Sequence, residues 1–201
     1  MVLDNKLGIT NQIELSKEEE RISKIAAKEL FDSGKLDKLT PGTFECLKII
    51  HKALFGKIYS FAGEIRKENI AKGNFRFASA LYLEESIKKI EVMPQDEFDE
   101  IIEKYVEMNV AHPFREGNGR STRIWLDIIL KKQLNKAVDW SEIDKDDYLN
   151  AMIISPLDDK PIKELIKNSL TDKINDRELY MKGIDHSYFY EGYKEYRAEN
   201  L

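Results

Sequence analysis

The sequence predicts a mainly helical fold of one main domain. Apolar residues recur mostly at the three- and four-residue spacing of a helix, and the alternation that marks an extensive sheet is largely missing. Of the 201 residues, 42% are hydrophobic and 34% are charged, which is a globular balance with enough chain for a sizeable core. No apolar run approaches the length of a membrane span. We therefore predict an all-α helical bundle without a membrane partner.

Charge and cysteine usage exclude some classes of protein. A net charge of -5 gives no general attraction to nucleic acid or to an anionic membrane. Cys46 is the only cysteine, and the N-terminus has no legible secretory signal. We expect a cytoplasmic protein that binds no nucleic acid, in which any bound phosphate is held by a local site.

The first two helices have recognisable start and stop signals. Ser16 and Glu19 form a candidate capping box for the first helix, and Gly34 is its predicted stop. Thr40, followed by proline, is predicted to open the second helix, which ends near Gly56.

The later helices follow from the same spacing. Two helices are predicted over residues 81–92 and 96–111, and the run IWLDIILKK predicts a helix at the centre of the bundle. A final helix is predicted from Lys182 to Tyr196. Shorter helices precede it and are separated by Ser141, Pro156 and Pro161.

Residues 64–80 depart from the helical pattern. The turn signal KGN at residues 72–74 is followed by FRF at residues 75–77, in which apolar and charged side chains alternate. This pattern predicts a small β-hairpin, which serves either as a surface connection or as a flap over a site.

The stretch HPFREGNGRSTR, residues 112–123, joins one predicted helix to the start of the buried one. Gly117, Asn118 and Gly119 suit a phosphate cradle, because a helix N-terminus presents unpaired N–H groups and glycine permits close approach. Arg120 and Arg123 are three residues apart, so both can bind phosphate oxygens from one helix face.

Two further residues of this stretch favour chemistry over simple binding. Glu116 suits a hard cation such as Mg²⁺, and His112 can accept a proton near neutral pH. Each feature alone has a structural explanation as a turn, a helix entry or a surface salt bridge. Together they predict transfer of a phosphorus-centred group to a hydroxyl. A zinc site built on the same two residues would lack a third ligand.

These residues resemble a known family. HPFREGNGRSTR matches the Fic signature HPFx[D/E]GNGRxxR at every specified position, and LFGKIYSFAGEIR at residues 54–66 resembles the region before the family's flap. The resemblance covers roughly residues 47–155. It implies a Fic-type helical bundle and a protein adenylyltransferase that moves AMP from ATP to a Ser, Thr or Tyr hydroxyl of an unidentified target. Gly119 favours AMP transfer, since the related Doc-type kinases carry Lys there.

The resemblance also assigns roles. His112 would deprotonate the target hydroxyl, and Glu116 would hold a divalent cation. Many members have Asp at this position, so the cation held by the longer Glu116 is either Mg²⁺ or another divalent ion. Asn118 and nearby amides would steady the α-phosphate, while Arg120 and Arg123 would bind the β- and γ-phosphates.

Other residues receive weaker assignments. Tyr148 and Leu149 are candidate adenine contacts by position, and His51 and His186 are predicted to be structural or surface residues. The hairpin would be the flap that aligns the target segment by main-chain pairing. The flap residues are Lys72, Gly73, Asn74 and Phe75.

A second motif lies near the C-terminus. SYFYEG, residues 187–192, resembles the autoinhibitory motif [S/T]xxxE[G/N] in its class III position. The resemblance implies that Glu191 pairs with Arg123 where the γ-phosphate must sit, that Ser187 orients Glu191, and that Gly192 completes the motif. We expect a Fic domain over residues 1–180 and an inhibitory helix over 181–201. No separate antitoxin is required, and a homo-oligomer is left open.

Three activities stay open at this point. The first is a latent adenylyltransferase. The second is an enzyme that removes AMP with Glu191 as the base, or that transfers another nucleotide group. The third is a nucleotide-binding module without chemistry, against which His112 argues. Self-modification is a further hypothesis for the tyrosines Tyr188, Tyr190, Tyr193 and Tyr196.

Overall fold

The computed structural model describes residues 2–73 and 75–201, which form a helical bundle with two small antiparallel strand pairs. The predicted fold class is therefore confirmed. The helices are α1 (Gln12–Asp32), α2 (Phe44–Phe55), α3 (Leu83–Glu91), α4 (Phe98–Ala111), α5 (Asn118–Leu134), α6 (Lys145–Ile154), α7 (Lys160–Asn168) and α8 (Arg177–Tyr190). The strands are β1 (Ala71–Lys72), β2 (Phe75–Arg76), β3 (Ala137–Val138) and β4 (Leu170–Thr171).

Helix α5 is the centre of the bundle, as its apolar sequence predicts. Trp125, Leu126 and Ile129 are fully buried, and α2, α4 and α8 all pack against this helix. The indole N–H of Trp125 donates to the Thr43 carbonyl at 3.0 Å, which fixes the start of α2 against α5. The N-terminus of α5 is thus held in a rigid setting.

The predicted capping box of α1 is wrong. Asn11 is the N-cap, and its side chain accepts hydrogen bonds from the amides of Ile13 and Glu14, so α1 begins before Ser16. Glu19 instead lies within α1, and its side chain is buried in the protein. Gly34, with φ of +64°, follows the end of α1 as predicted.

Helices α2 and α8 also differ from their predicted bounds. Helix α2 begins at Phe44 because Thr43 is the residue whose side chain accepts from the Cys46 amide. Helix α8 begins at Arg177, behind the N-cap Asp176, and its last residue is Tyr190.

The predicted hairpin is present, with Ala71 opposite Arg76 and Lys72 opposite Phe75. The second strand pair, β3 with β4, was not predicted, because two-residue strands leave too short a pattern to detect. Within the described residues, no helix combines the length and the apolar character that crossing a membrane requires.

Candidate active site

The motif loop, residues 112–117, connects α4 to α5 through two left-handed backbone conformations. His112 has φ of +49° and ends α4, and Gly117 has φ of +77° and precedes α5. A Cβ on Gly117 would lie 2.3 Å from the ring of Phe55, so both the backbone conformation and the space require glycine there.

Arg66 fixes the loop against the base of the flap. Its buried guanidinium donates to the carbonyls of His112 at 2.7 Å, Ala111 at 3.1 Å and Ala78 at 2.6 Å. A fourth bond reaches the carbonyl of Glu68 at 2.7 Å. Sequence reasoning placed Arg66 at the end of a family-like stretch but gave no sign that it is buried, since arginine is usually exposed.

The imidazole of His112 is held in one orientation by its neighbours. It stacks on Phe77 with ring centroids 3.6 Å apart, and Nδ1 lies 3.3 Å from the Asn109 carbonyl. Because a nitrogen beside a carbonyl must carry the proton, Nε2 is the atom that can accept one. Burial lowers the pKa of His112 to about 4, so the ring is neutral at physiological pH.

His51 supports the motif loop through hydrogen bonds, in agreement with the structural role predicted for it. Its Nδ1 accepts from the Gly63 amide at 2.9 Å, so Nε2 donates to the Glu116 carbonyl at 2.7 Å. The ring also stacks on Phe114 at 3.8 Å, and burial lowers the pKa of His51 to about 4.

The side chain of Asn118 bonds to the motif loop itself. Its oxygen accepts from the Phe114 amide at 2.8 Å, and its nitrogen donates to the Phe114 carbonyl at 2.7 Å. Both ends of the side chain therefore close the loop. Within the described part of the chain, no side chain caps α5, so its first amides have no side-chain acceptor.

Arg120 lies in a buried ion-pair cluster. Its side chain is 1% exposed and pairs with Glu19 at 2.6 Å and with Glu116 at 2.9 Å. The rings of Phe55 and Tyr193 also enclose the guanidinium. Glu19, the partner from α1, was missed, because its side chain was assigned to a helix cap.

Arg123 and the C-terminal motif meet as the resemblance implied. The Nε atom of Arg123 donates to the Ser187 hydroxyl at 2.7 Å, and Nη2 donates to the Ser187 carbonyl at 2.9 Å. The same Nη2 lies 3.1 Å from Oε1 of Glu191. Glu191 directly follows α8, and Gly192, with φ of +94°, turns the chain away.

The flap contributes a second cation to Glu191. Nζ of Lys72 lies 2.9 Å from the other carboxylate oxygen, Oε2. Burial alone would raise the pKa of Glu191, but Arg123 and Lys72 outweigh it and lower this pKa to about 2. Gly73 and Phe75 lie in the hairpin as predicted, and Asn74 lies outside the described residues.

Tyr148 is buried beside Arg123. It is 2% exposed, stacks on Tyr190 with centroids 4.8 Å apart, and its hydroxyl accepts from Arg123 at 3.2 Å. Leu149 is partly buried against the core.

The tyrosines of the C-terminal motif differ in access. Tyr188 and Tyr190 are 1% and 2% exposed, so neither hydroxyl can reach a nucleotide while α8 is docked. Tyr193 and Tyr196 are half-buried against α1. His186 is also half-buried, beside Phe189.

The sequence of this chain is similar to those of several known proteins. Residues 41–130 match the model of the Fic/DOC family. The chain is 32% identical to protein adenylyltransferase VbhT of Bartonella schoenbuchensis, over 92% of this chain but only 40% of that protein. It is 30% identical to probable protein adenylyltransferase y4lH of Sinorhizobium fredii, over 77% of this chain and 83% of the relative.

The fold also matches a solved structure. The crystal structure of BepC from Bartonella tribocorum, with bound AMPPNP, superposes with a TM-score of 0.68 over 85% of this chain and 93% of that one, at 21% identity. With the relative from Sinorhizobium fredii matched over most of its length and the motif loop in place, this chain belongs to the Fic/DOC family.

Proposed function

We propose that this protein is an adenylyltransferase that moves AMP from ATP to a Ser, Thr or Tyr hydroxyl of a target protein. The observation that carries the proposal is the position of His112, whose neutral ring leaves Nε2 able to accept a proton in the short loop that leads to the N-terminus of α5. The relatives named adenylyltransferases support the same activity.

Groups of this site would bind the reacting phosphate and accept the proton that the reaction releases. The target hydroxyl oxygen would attack the α-phosphorus while its proton passes to Nε2 of His112. The bond from the α-phosphorus to the oxygen that bridges it to the β-phosphate breaks, and pyrophosphate leaves. The first amides of α5 would bind the α-phosphate, where negative charge develops in the transition state.

Glu116 fits a divalent cation. Its side chain is 43% exposed, and among the described residues both of its hydrogen bonds, from Gly117 and Arg120, go to Oε1. Oε2 would therefore hold Mg²⁺, which when bound neutralises charge on the phosphates of ATP.

The protein would be latent as it stands. Arg123 is the motif arginine whose charge faces Glu191, so the γ-phosphate and the Glu191 carboxylate would compete for one guanidinium. Residues 177–192 would act as an inhibitory element in cis, and no separate antitoxin is needed. The Arg123 guanidinium can exchange the Glu191 carboxylate for a phosphate, so the latent state would be reversible.

The test compares wild type, Glu191→Gly, Glu191→Gln and the double variant Glu191→Gly/His112→Ala. Each is incubated with α-³²P-labelled ATP, Mg²⁺ and a cell lysate, and labelled protein is counted. We expect labelling to rise at least about tenfold in Glu191→Gly, because the competing charge is gone. Glu191→Gln, which keeps the shape, should rise as well, and the double variant should be silent.

The same assay decides between the alternatives. Transfer of γ-label or of another nucleotide would keep the fold and replace the chemistry. Loss of label from a modified target, dependent on Glu191, would show AMP removal. We place removal second, because Arg123 and Lys72 each hold one oxygen of the Glu191 carboxylate.

A further inference from the structure

Glu19 is a buried carboxylate that neither family motif includes. It lies on α1 with 2% of its surface exposed. Its Oε1 accepts hydrogen bonds from Nη1 of Arg120 at 2.6 Å and from the Tyr193 hydroxyl. Its Oε2 accepts from the Tyr59 hydroxyl. Burial alone would raise the pKa of Glu19, but Arg120 and the two hydroxyls hold it below the usual value, so the carboxylate is charged.

Arg120 links this carboxylate to the one proposed to bind a cation. Its Nη1 faces Glu19, and its Nη2 faces Oε1 of Glu116 at 2.9 Å. The rings of Phe55 and Tyr193 lie 4.8 Å and 4.7 Å from its Cζ atom and exclude water. One buried guanidinium is therefore shared between two carboxylates, and the position of one affects the other.

The tail segment, residues 193–198, also docks on α1. The Glu20 carboxylate accepts from the amides of Glu195 at 3.1 Å and Tyr196 at 3.2 Å. Lys24 donates to the Tyr196 carbonyl at 2.5 Å. Because Tyr193 is only two residues beyond Glu191, the inhibitory carboxylate and the tail segment are held in place together.

We propose that Glu19 is a positioning residue that sets the Glu116 carboxylate through Arg120, and that Tyr193 couples this setting to the docked tail segment. The inference rests on the proposed function for the role of Glu116. If Glu19 had no charge, Glu116 would be the only carboxylate paired with Arg120. That stronger pair would draw the Glu116 carboxylate away from a cation.

The Tyr193 hydroxyl has the opposite effect, because it shares Oε1 of Glu19 with Arg120. Undocking the tail segment would strengthen the pair between Glu19 and Arg120 and leave Glu116 freer to bind a cation. Release of the inhibitory element and readiness of the cation site would then occur together.

The first measurement is Mn²⁺ binding by electron paramagnetic resonance in the presence of a non-hydrolysable ATP analogue, with all variants made in Glu191→Gly. We expect Glu19→Gln to weaken Mn²⁺ binding about tenfold, as losses around a metal ligand commonly do. Tyr193→Phe should not weaken it, and Glu116→Ala identifies the site. If Glu19→Gln does not fold, Glu19→Asp is measured instead. Its shorter side chain moves the carboxylate away from Arg120, so it should also weaken Mn²⁺ binding, and unchanged binding in it overturns the inference.

The second measurement is amide hydrogen exchange of residues 193–198 in the otherwise unchanged protein without metal or nucleotide. Tyr193→Phe and Glu19→Gln should each speed exchange about fivefold, the effect of one lost hydrogen bond. Tyr59→Phe is the matched control, because it removes a hydroxyl from the other oxygen of Glu19 and leaves the tail segment untouched.

The results separate this inference from the proposed function. Unchanged Mn²⁺ binding in Glu19→Gln, or equal exchange in Tyr59→Phe and Tyr193→Phe, overturns the inference even if AMP is transferred. Mn²⁺ binding and exchange as expected, with no label transferred by Glu191→Gly, overturns the proposed activity alone.

Discussion

A Cβ atom placed on Gly119 would lie 2.5 Å from Oε1 of Glu191. The same atom would lie 3.2 Å from both terminal nitrogens of Arg123, so the ion pair closes over position 119. Glycine at this position therefore has a spatial role, in addition to the comparison with Lys in the Doc-type kinases.

Gly119→Ala should partly release the inhibitory pair. Displacing Glu191 by the width of a methyl group weakens the pair by about 1–2 kcal/mol, which corresponds to a five- to thirtyfold rise in AMP transfer. Transfer of α-³²P label in Gly119→Ala is the measurement. The control is Gly119→Ala/Glu191→Gly, which should show no gain over Glu191→Gly. A further gain there would mean that the methyl group acts on the nucleotide.

Lys72→Gln should have a much smaller effect than any change at Glu191. The lysine side chain is 67% exposed, and pairs of this kind contribute about 0.5 kcal/mol. We expect AMP transfer to rise no more than about threefold, and the difference from wild type to vanish in high salt. A rise as large as that of Glu191→Gly would show that the flap, and not Arg123, holds the carboxylate.

Arg66→Lys should destabilise the protein. Lysine cannot reach the carbonyls to which Arg66 donates, and leaving buried acceptors unpaired costs about 3 kcal/mol. The midpoint of urea unfolding measures the loss. Arg115→Lys is the matched control, because the pair of Arg115 with Glu68 is 45% and 48% exposed and should change stability by less than about 0.5 kcal/mol.

Acidification should unfold the protein more easily through its two buried histidines. Burial lowers the pKa of both His51 and His112 to about 4, from 6.5 in the unfolded chain. The unfolded state therefore binds protons first as pH falls below 6.5, and stability falls until about pH 4 is reached. We expect a loss of about 2 kcal/mol per histidine between pH 7 and pH 5.

Urea unfolding at the two pH values checks this expectation. Asp127 opposes this loss, because burial raises its pKa to about 7 and the folded protein takes up a proton there as pH falls. The contribution of His112 is therefore the difference in pH effect between the wild type and His112→Gln, which should be about 2 kcal/mol. An equal pH effect in the two proteins would contradict it. The pair of Glu191 with Arg123 should persist over this range, because the pKa of Glu191 is about 2.

The sequence predicted the parts of this fold that depend on local pattern. The spacing of apolar residues gave the helices, and the turn at residues 72–74 gave the hairpin. Local signals were less reliable for helix ends, because Ser16 with Glu19 predicts a cap for α1 that the structure places at Asn11. Only the folded structure selects between them.

The contacts that were missed join residues far apart in the chain. Glu19 pairs with Arg120, 101 residues away, and Lys72 pairs with Glu191, 119 residues away. A glutamate on a helix normally lies in solvent, so nothing in its neighbours predicts burial. The family signature includes Asn118, but a signature does not show that this side chain also holds the loop closed through Phe114.

The Ser187 carbonyl accepts from Arg123 alongside the Ser187 hydroxyl and the Glu191 carboxylate, so helix α8 satisfies this cation partly through its main chain. No side-chain substitution in α8 removes that oxygen. Under the proposed function, ATP must therefore outcompete a built-in ligand whose effective concentration does not change. The fraction of active protein would then depend on nucleotide supply, and the enzyme would respond to the energy state of its surroundings without a dedicated sensor.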